Sequence, residues 1–301
     1  MLDNVSLICG CDTFEVTTTK ERGDKIKGLT VLAPLPPCQA HSEMLYRYKV
    51  NPDTVISGAG NNLTDFKKVL QIVKDCFCGA DKLYISRFDF RFDDYINPYS
   101  RLYKLNRLLL SMLVTAYDVN NKYDSKDFMT DERLTVRFDH NDAATDTFIA
   151  AEYYNKARQE PSGEVKTRLE LRTKQIQVPI DNICDYESFV LADWLQRIND
   201  IATADNLKAT IARVSEGLID NYYDTLSEHN NITEYFHSVR DSIYTTAQLT
   251  QLYGYLGKCS TAKSRAYNFR RKRQGIQFLD LASIEEYAEL IQASAMRFLS
   301  T

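Results

Sequence analysis

Between residues 83 and 94 polar and apolar side chains alternate almost without a break. Successive side chains of a strand point to opposite faces, so this stretch predicts a strand with two unlike sides. Arg87, Asp89, Arg91 and Asp93 share one face; Tyr84, Phe88, Phe90 and Phe92 share the other. Residues 167–173 repeat the design, with Arg168, Glu170 and Arg172 opposite Leu169 and Leu171. In a third predicted strand, 147–156, Glu152, Tyr154 and Lys156 lie on one side and Ile149, Ala151 and Tyr153 on the other.

Elsewhere the period lengthens to that of a helix. Leu63, Phe66, Val69, Leu70 and Val73 predict an amphipathic helix to about residue 77, with Asn62 as its N-cap after the turn at 58–62. Residues 99–117 predict a second helix, striped by Leu102, Leu105, Leu109, Met112 and Leu113. Alternating and turn-rich stretches before residue 60 (5–8, 13–18, 29–32, then Pro34, Pro36 and Pro37) read as strands and loops. Residues 133–138 are expected to pair with 147–156 in a hairpin around His140, Asn141 and Asp142, and Pro161-Ser162-Gly163 to turn the chain into the strand at 167. Beyond Pro179 the pattern becomes helical, with Phe189, Leu191, Trp194, Leu195, Ile198 and Ile201 as one stripe. The fold class expected is α+β: an antiparallel sheet with flanking helices over 1–180, then a helical region over 181–301.

Composition narrows the setting. A chain of 301 residues with 44% hydrophobic and 26% charged residues can bury a sizeable core. The net charge of −4 argues against indiscriminate coating of nucleic acid, but leaves room for a local basic patch. Apolar runs are too short to span a bilayer, and no secretory signal pattern opens the sequence, so no membrane partner and a cytoplasmic setting are expected. The pairs Cys9/Cys11 and Cys76/Cys78 lack zinc-site spacing and a nearby histidine, and read as alternate strand residues or reduced thiols. The histidines 41, 140, 229 and 237 are scattered, and no phosphate-loop glycine pattern is present, which removes an ATP-driven helicase.

Candidate chemistry sits in three places. A carboxylate such as Asp89 inside an aromatic strand needs arginine partners, a metal or solvent; an ion-pair ladder with Arg87, Arg168 and Glu170 is the plain structural alternative. Asp93 and Asp94, at the strand end, are expected to be solvated. Tyr154 is the candidate nucleophile, since a tyrosine that attacks phosphate conserves the bond energy as a phosphotyrosine. Its phenol needs help from a metal or from a cation such as Lys156. Residues 246–275 outline helix, glycine turn and basic helix, the plan of a helix-turn-helix. Lys263, Arg265, Arg270, Arg271, Lys272 and Arg273 put six basic residues within eleven, with no acid among them, where phosphates or guanine edges would be met.

Several of these segments together resemble a known family. Residues 1–5, the Gly60-Asn61-Asn62-Leu63 turn, Ser86-Arg87-Phe88-Asp89-Phe90, Tyr154-Asn155-Lys156, residues 167–172 and the closing segment 260–278 are similar, in order, to the replication proteins typified by the filamentous-phage gene-two endonuclease. They also resemble the rolling-circle initiators of Gram-positive plasmids. Arg91, where such strands often carry an apolar or small residue, departs from the pattern. The resemblance implies a nick in one strand of origin DNA, a tyrosine joined to the 5′-phosphate, and later rejoining. Tyr154 would then be the nucleophile, with Tyr153 one residue away as the other candidate. Asp89 and Glu170 would help hold magnesium or manganese, and Arg87, Lys156, Arg168 and Arg172 would contact the phosphates. Partners would be single- and double-stranded origin DNA and a host helicase and polymerase. Two other readings stay open: a non-catalytic DNA-binding regulator, and a relaxase or transposase using the same tyrosine chemistry.

Overall fold

The computed structural model describes residues 6–21, 26–38, 41–78, 80, 82–95, 101–117, 136–142, 147–156, 167–180, 183–210 and 281–300. Seven strands form one sheet in the order β2-β3-β1-β4-β7-β6-β5. They are β1 (Ile8–Thr18), β2 (Leu29–Leu35), β3 (Leu45–Val50), β4 (Leu83–Asp94), β5 (Val136–Asp142), β6 (Thr147–Asn155) and β7 (Thr167–Pro179). Every pairing is antiparallel. The helices are α1 (Pro52–Val55), α2 (Leu63–Cys76), α3 (Arg101–Ala116), α4 (Ile183–Ile201) and α5 (Leu281–Ser300), with a further helical stretch over 204–210. The expected α+β architecture, an antiparallel sheet with flanking helices, is the one observed.

The apolar face of the sheet is the core. Phe14 of β1 and Phe88 of β4 stack at 6.3 Å, and Phe66 of α2 meets both edge-on at 5.6 and 5.8 Å. Such rings bury large areas and add directional contacts to ordinary apolar burial. Helix α2 starts where its cap was expected, the Asn62 side chain accepting from the Asp65 amide at 3.0 Å. On the same side, Tyr287 of α5 donates to Asn106 of α3 at 2.6 Å. Trp194 and Leu191 of α4 and Ile291 of α5 join this cluster, so elements beyond residue 180 complete the core begun by the strands. Cys9 and Cys11 are opposite Phe92 and Phe90 and fully inside, as alternate strand residues.

Two close backbone approaches hold the turn after α1 against the sheet. A Cβ on Gly10 would lie 2.0 Å from the Gly60 carbonyl oxygen, and one on Gly60 would lie 2.6 Å from the Cys11 carbonyl oxygen. The turn itself begins at Gly58, whose φ of +81° suits glycine. This 3-10 turn at Ala59–Asn61, where a plain turn was expected, brings Asn61 over the charged side of β4.

Some expectations need correction. The strand expected at 133–138 is β5 at Val136–Asp142, so His140, Asn141 and Asp142 are strand residues rather than the hairpin turn. Pairing with β6 is as expected, Val136 opposite Tyr153. The strand at 167–173 continues to Pro179, because its second half pairs with the start of β4. The separate stretches at 5–8 and 13–18 are largely one strand, β1, kinked by register shifts at Cys11/Thr13 and Glu15/Val16. The turn at 161–163, His229, His237 and the helix-turn-helix outline at 246–275 lie outside the described residues.

Candidate active site on the charged sheet face

Antiparallel pairing sets the site geometry. Residues directly opposite one another share a face, and the register places Asp89 opposite Arg172, Arg91 opposite Glu170, Asp93 opposite Arg168, and Arg168 in turn opposite Tyr154. Acid thus meets base across β4 and β7, and Tyr154 extends the row onto β6. Tyr153 faces Leu169 on the other side and is buried in the apolar core.

The charged side chains form a connected network. Arg87 Nε donates to Asp89 Oδ1 at 2.7 Å, and Thr13 Oγ1 donates to Asp89 Oδ2 at 2.9 Å. Arg168 grips Asp93 with two bonds, Nε to Oδ1 at 2.6 Å and Nη2 to Oδ2 at 2.9 Å. Its remaining Nη1 donates to Asp12. Such two-point guanidinium–carboxylate pairs are strong and directional. Arg172 donates from both Nε and Nη2 to Glu170 Oε2, and its Nη2 is also 2.8 Å from Glu152. Glu152 and Glu170 stand directly opposite each other, and this shared guanidinium offsets their repulsion. Arg91 donates to Asp53 and to the Asn61 side chain, each at 2.7 Å.

The network is deeply buried. Arg168 is 2% exposed, Asp89 1% and Glu170 3%. Asp93 and Asp94, expected to be solvated, are buried as well, at 3% each. Asp93 is held by Arg168, while Asp94 accepts from Thr167 at 3.4 Å on the apolar side. Burial alone would drive these charges toward neutrality; the neighbouring carboxylates instead raise the pKa values of Arg87, Arg91, Arg168 and Arg172 above the ordinary guanidinium value.

At the centre of the row, the Tyr154 hydroxyl donates to Glu170 Oε1. Burial pushes the Tyr154 pKa up, and the Glu170 charge and hydrogen bond push it further, against a lowering by Arg168. Lys156 Nζ lies 5.9 Å from the centre of the Tyr154 ring. The phenol is therefore a neutral donor aimed at a carboxylate, with Arg168 opposite it in the register and Lys156 near its ring.

Asp89 and Glu170 do not form a divalent-metal cage in this arrangement. Their oxygens are of the hard type such ions take, but Arg172 Nε sits between them, 4.0 Å from Asp89 and 3.1 Å from Glu170. Among the described residues no group of three His, Cys, Asp or Glu side chains is placed to hold a metal ion.

Six of the expected site residues, Arg87, Asp89, Tyr154, Arg168, Glu170 and Arg172, come together in or beside this network, with Lys156 against the tyrosine ring. Lys263, Arg265, Arg270, Arg271, Lys272 and Arg273 lie outside the described residues. Sequence reasoning missed Asp12, Thr13, Glu15, Arg47 and Asp53. Glu15 and Thr13 carried a signal, being alternate residues of an expected strand. Asp12 carried none, because it enters the network through the irregularity between Cys11 and Thr13.

No protein-family model matches the chain, and no curated protein matches it either. Among solved structures, a rolling circle replication initiator protein from Geobacillus stearothermophilus is similar over 57% of this chain and 76% of that one, at 14% identity and a TM-score of 0.26. A likeness that slight carries no argument about function.

Proposed function

We propose that the charged face is a DNA strand-transfer site, in which Tyr154 attacks a phosphodiester and holds the cut strand as a phosphotyrosine. The observation that carries this reading is the hydrogen bond from the Tyr154 hydroxyl to Glu170, with Arg168, Arg172 and Lys156 around it. A nucleophile, a base oriented toward its proton, and cations for the phosphate are the parts that phosphoryl transfer to a side chain needs.

The step runs as follows. Tyr154 Oη forms a bond to phosphorus while its proton passes to Glu170. The bond from phosphorus to the 3′ oxygen breaks, and that oxygen takes up the proton Glu170 received, relayed through water, to become a free 3′-OH able to prime synthesis. Reversal, with a 3′-OH attacking the phosphotyrosine, rejoins a strand and returns the proton to Tyr154. Arg172 already shares itself between two carboxylates, so a phosphate can replace one of them without leaving a guanidinium unpaired. Nicking and rejoining at a replication origin, as in rolling-circle replication, is the biological setting this chemistry serves. In that setting the basic segment 263–273 binds duplex origin DNA, residues 1–180 carry the catalysis, and host helicase and polymerase act on the nicked product. Magnesium or manganese at Asp89 and Glu170 is a separate proposal that requires Arg172 to move away, and no step above depends on it.

The test is a nicking assay on single-stranded candidate-origin oligonucleotides, resolved on a denaturing protein gel. Wild type and Tyr153→Phe are expected to give a covalent adduct, and Tyr154→Phe none. An adduct that persists in Tyr154→Phe would move the nucleophile elsewhere. Tight DNA binding with no adduct from any oligonucleotide would favour the regulator reading. Parallel reactions with a chelator, magnesium or manganese measure the metal dependence.

A further inference from the structure

A cleft of about 460 Å³ opens on the charged side of the sheet, at the far end from Tyr154. Among the described residues, Arg47, Arg87, Lys174 and His41 line it, with Glu15 as the one carboxylate. Glu15 accepts from Arg47 at 2.8 Å and from Arg87 at 3.3 Å, and Arg87 also bonds Asp89, so Arg47 is the guanidinium that relies on Glu15. Lys174 stands opposite Arg87 in the register and adds a further cation. The described lining thus holds three Arg and Lys side chains to one carboxylate. The walls differ: Thr17 and Ser86, joined at 2.9 Å, present hydroxyls on one side, and Leu35, Leu45 and Ile176 present apolar surface on another. One anion with one flat apolar group is what such a lining complements, and a nucleotide unit is built that way.

The cleft and the tyrosine lie on the same side of the sheet, toward opposite ends of the strands. Arg87 is six residues from Asp93, the β4 position level with Tyr154, or about 20 Å at the usual strand rise of about 3.3 Å. We infer that the cleft binds one nucleotide of single-stranded DNA, several nucleotides from the scissile phosphate, its phosphate on Arg47 and Lys174 and its base on the Leu45–Ile176 wall. This deepens the proposed strand-transfer reading and rests on it for the identity of the strand. Its role is to fix the register of the strand that Tyr154 cuts.

The experiment measures binding without chemistry. A fluorescein-labelled oligothymidylate is titrated by anisotropy into the Tyr154→Phe chain across a range of KCl concentrations, alone and with Lys174→Ala or Arg47→Ala added. Lys68→Ala, on the outside of α2, is the control for surface charge at large. Each cleft variant is expected to weaken binding several-fold and to reduce the slope of log K against log salt by about 0.7, the share of one lost single-strand phosphate contact. Arg47→Lys, which keeps the charge, is expected to restore the slope, which a folding defect would not. Competition is expected to be stronger with thymidine monophosphate than with inorganic phosphate. Unchanged slopes in both cleft variants, or equal competition by the two anions, would overturn the proposal. Because Tyr154 is absent throughout, a missing covalent adduct in the nicking assay leaves this result standing, while an adduct with unchanged slopes removes the cleft alone.

Discussion

The two faces of β4 are equally buried and are held by opposite physics. Phe88, Phe90 and Phe92 on one side are at most 1% exposed; Asp89, Arg91 and Asp93 on the other are at most 6% exposed. On the aromatic side each contact is weakly directional and any neighbour of similar volume can replace another. Each carboxylate on the charged side has a named donor at a bonded distance, and losing that donor strands a charge away from water. The contrast teaches that burial alone does not tell a core from a site.

The sharpest way to break this comparison is to remove Arg168. Arg168→Ala leaves Asp93 and Asp12 without their shared guanidinium and is expected to destabilise the fold by about 3–5 kcal/mol in urea unfolding. Replacing both partners, Arg168→Met with Asp93→Leu, is expected to recover most of that loss, because no stranded charge remains. If the double variant were as unstable as the sum of its singles, the network would be acting as independent contacts. On the aromatic side, Ile85→Val trims one methylene from a fully buried position and is expected to cost about 0.5–1.5 kcal/mol. A loss as large as that of Arg168→Ala would show that the apolar face is as intolerant as the polar one.

How much of this was legible in the sequence follows the same division. Alternation placed the side chains of 87–93 and 168–172 on their proper faces, because period-two patterning is a local property of a strand. It misplaced Tyr84, expected beside Phe88, because the register shift between Ile85 and Arg87 turns Ile85 into the core and Tyr84 toward the charged side. The α2 cap at Asn62 was legible for the same reason. What alternation does not carry is partnership between distant strands. Glu15 and Arg87 are 72 residues apart and Arg168 and Asp12 are 156 apart, and their meeting is decided by strand order. The kink that delivers Asp12 is likewise a property of β1 against β4, not of β1 alone. Asp93 was misjudged because a carboxylate at a strand end is usually solvated, whereas β1 and β7 lying on either side bury it.

The finest distinction between the faces is in how tightly each holds a proton. Tyr154 has a folded-state pKa raised by burial first and by Glu170 next, while in the unfolded chain it titrates near its ordinary value of about 10. A raised folded-state pKa means that the stability it contributes is fully present below pH about 10 and is lost as pH climbs past it. Tyr287, buried on the apolar side, is raised chiefly by burial and carries the same sign. Tyr154→Phe is therefore expected to lose stability less steeply than wild type as pH rises above about 10, followed by urea unfolding at each pH. The chain has 19 tyrosines, so the reading is the difference between the two curves rather than either slope. Tyr287→Phe should flatten the curve too, but without changing the adduct yield, since its hydroxyl bonds Asn106 and not a carboxylate of the charged face. Parallel curves for wild type and Tyr154→Phe would mean that Glu170 does not hold the tyrosine proton, and the general-base role assigned to it would fall with that bond.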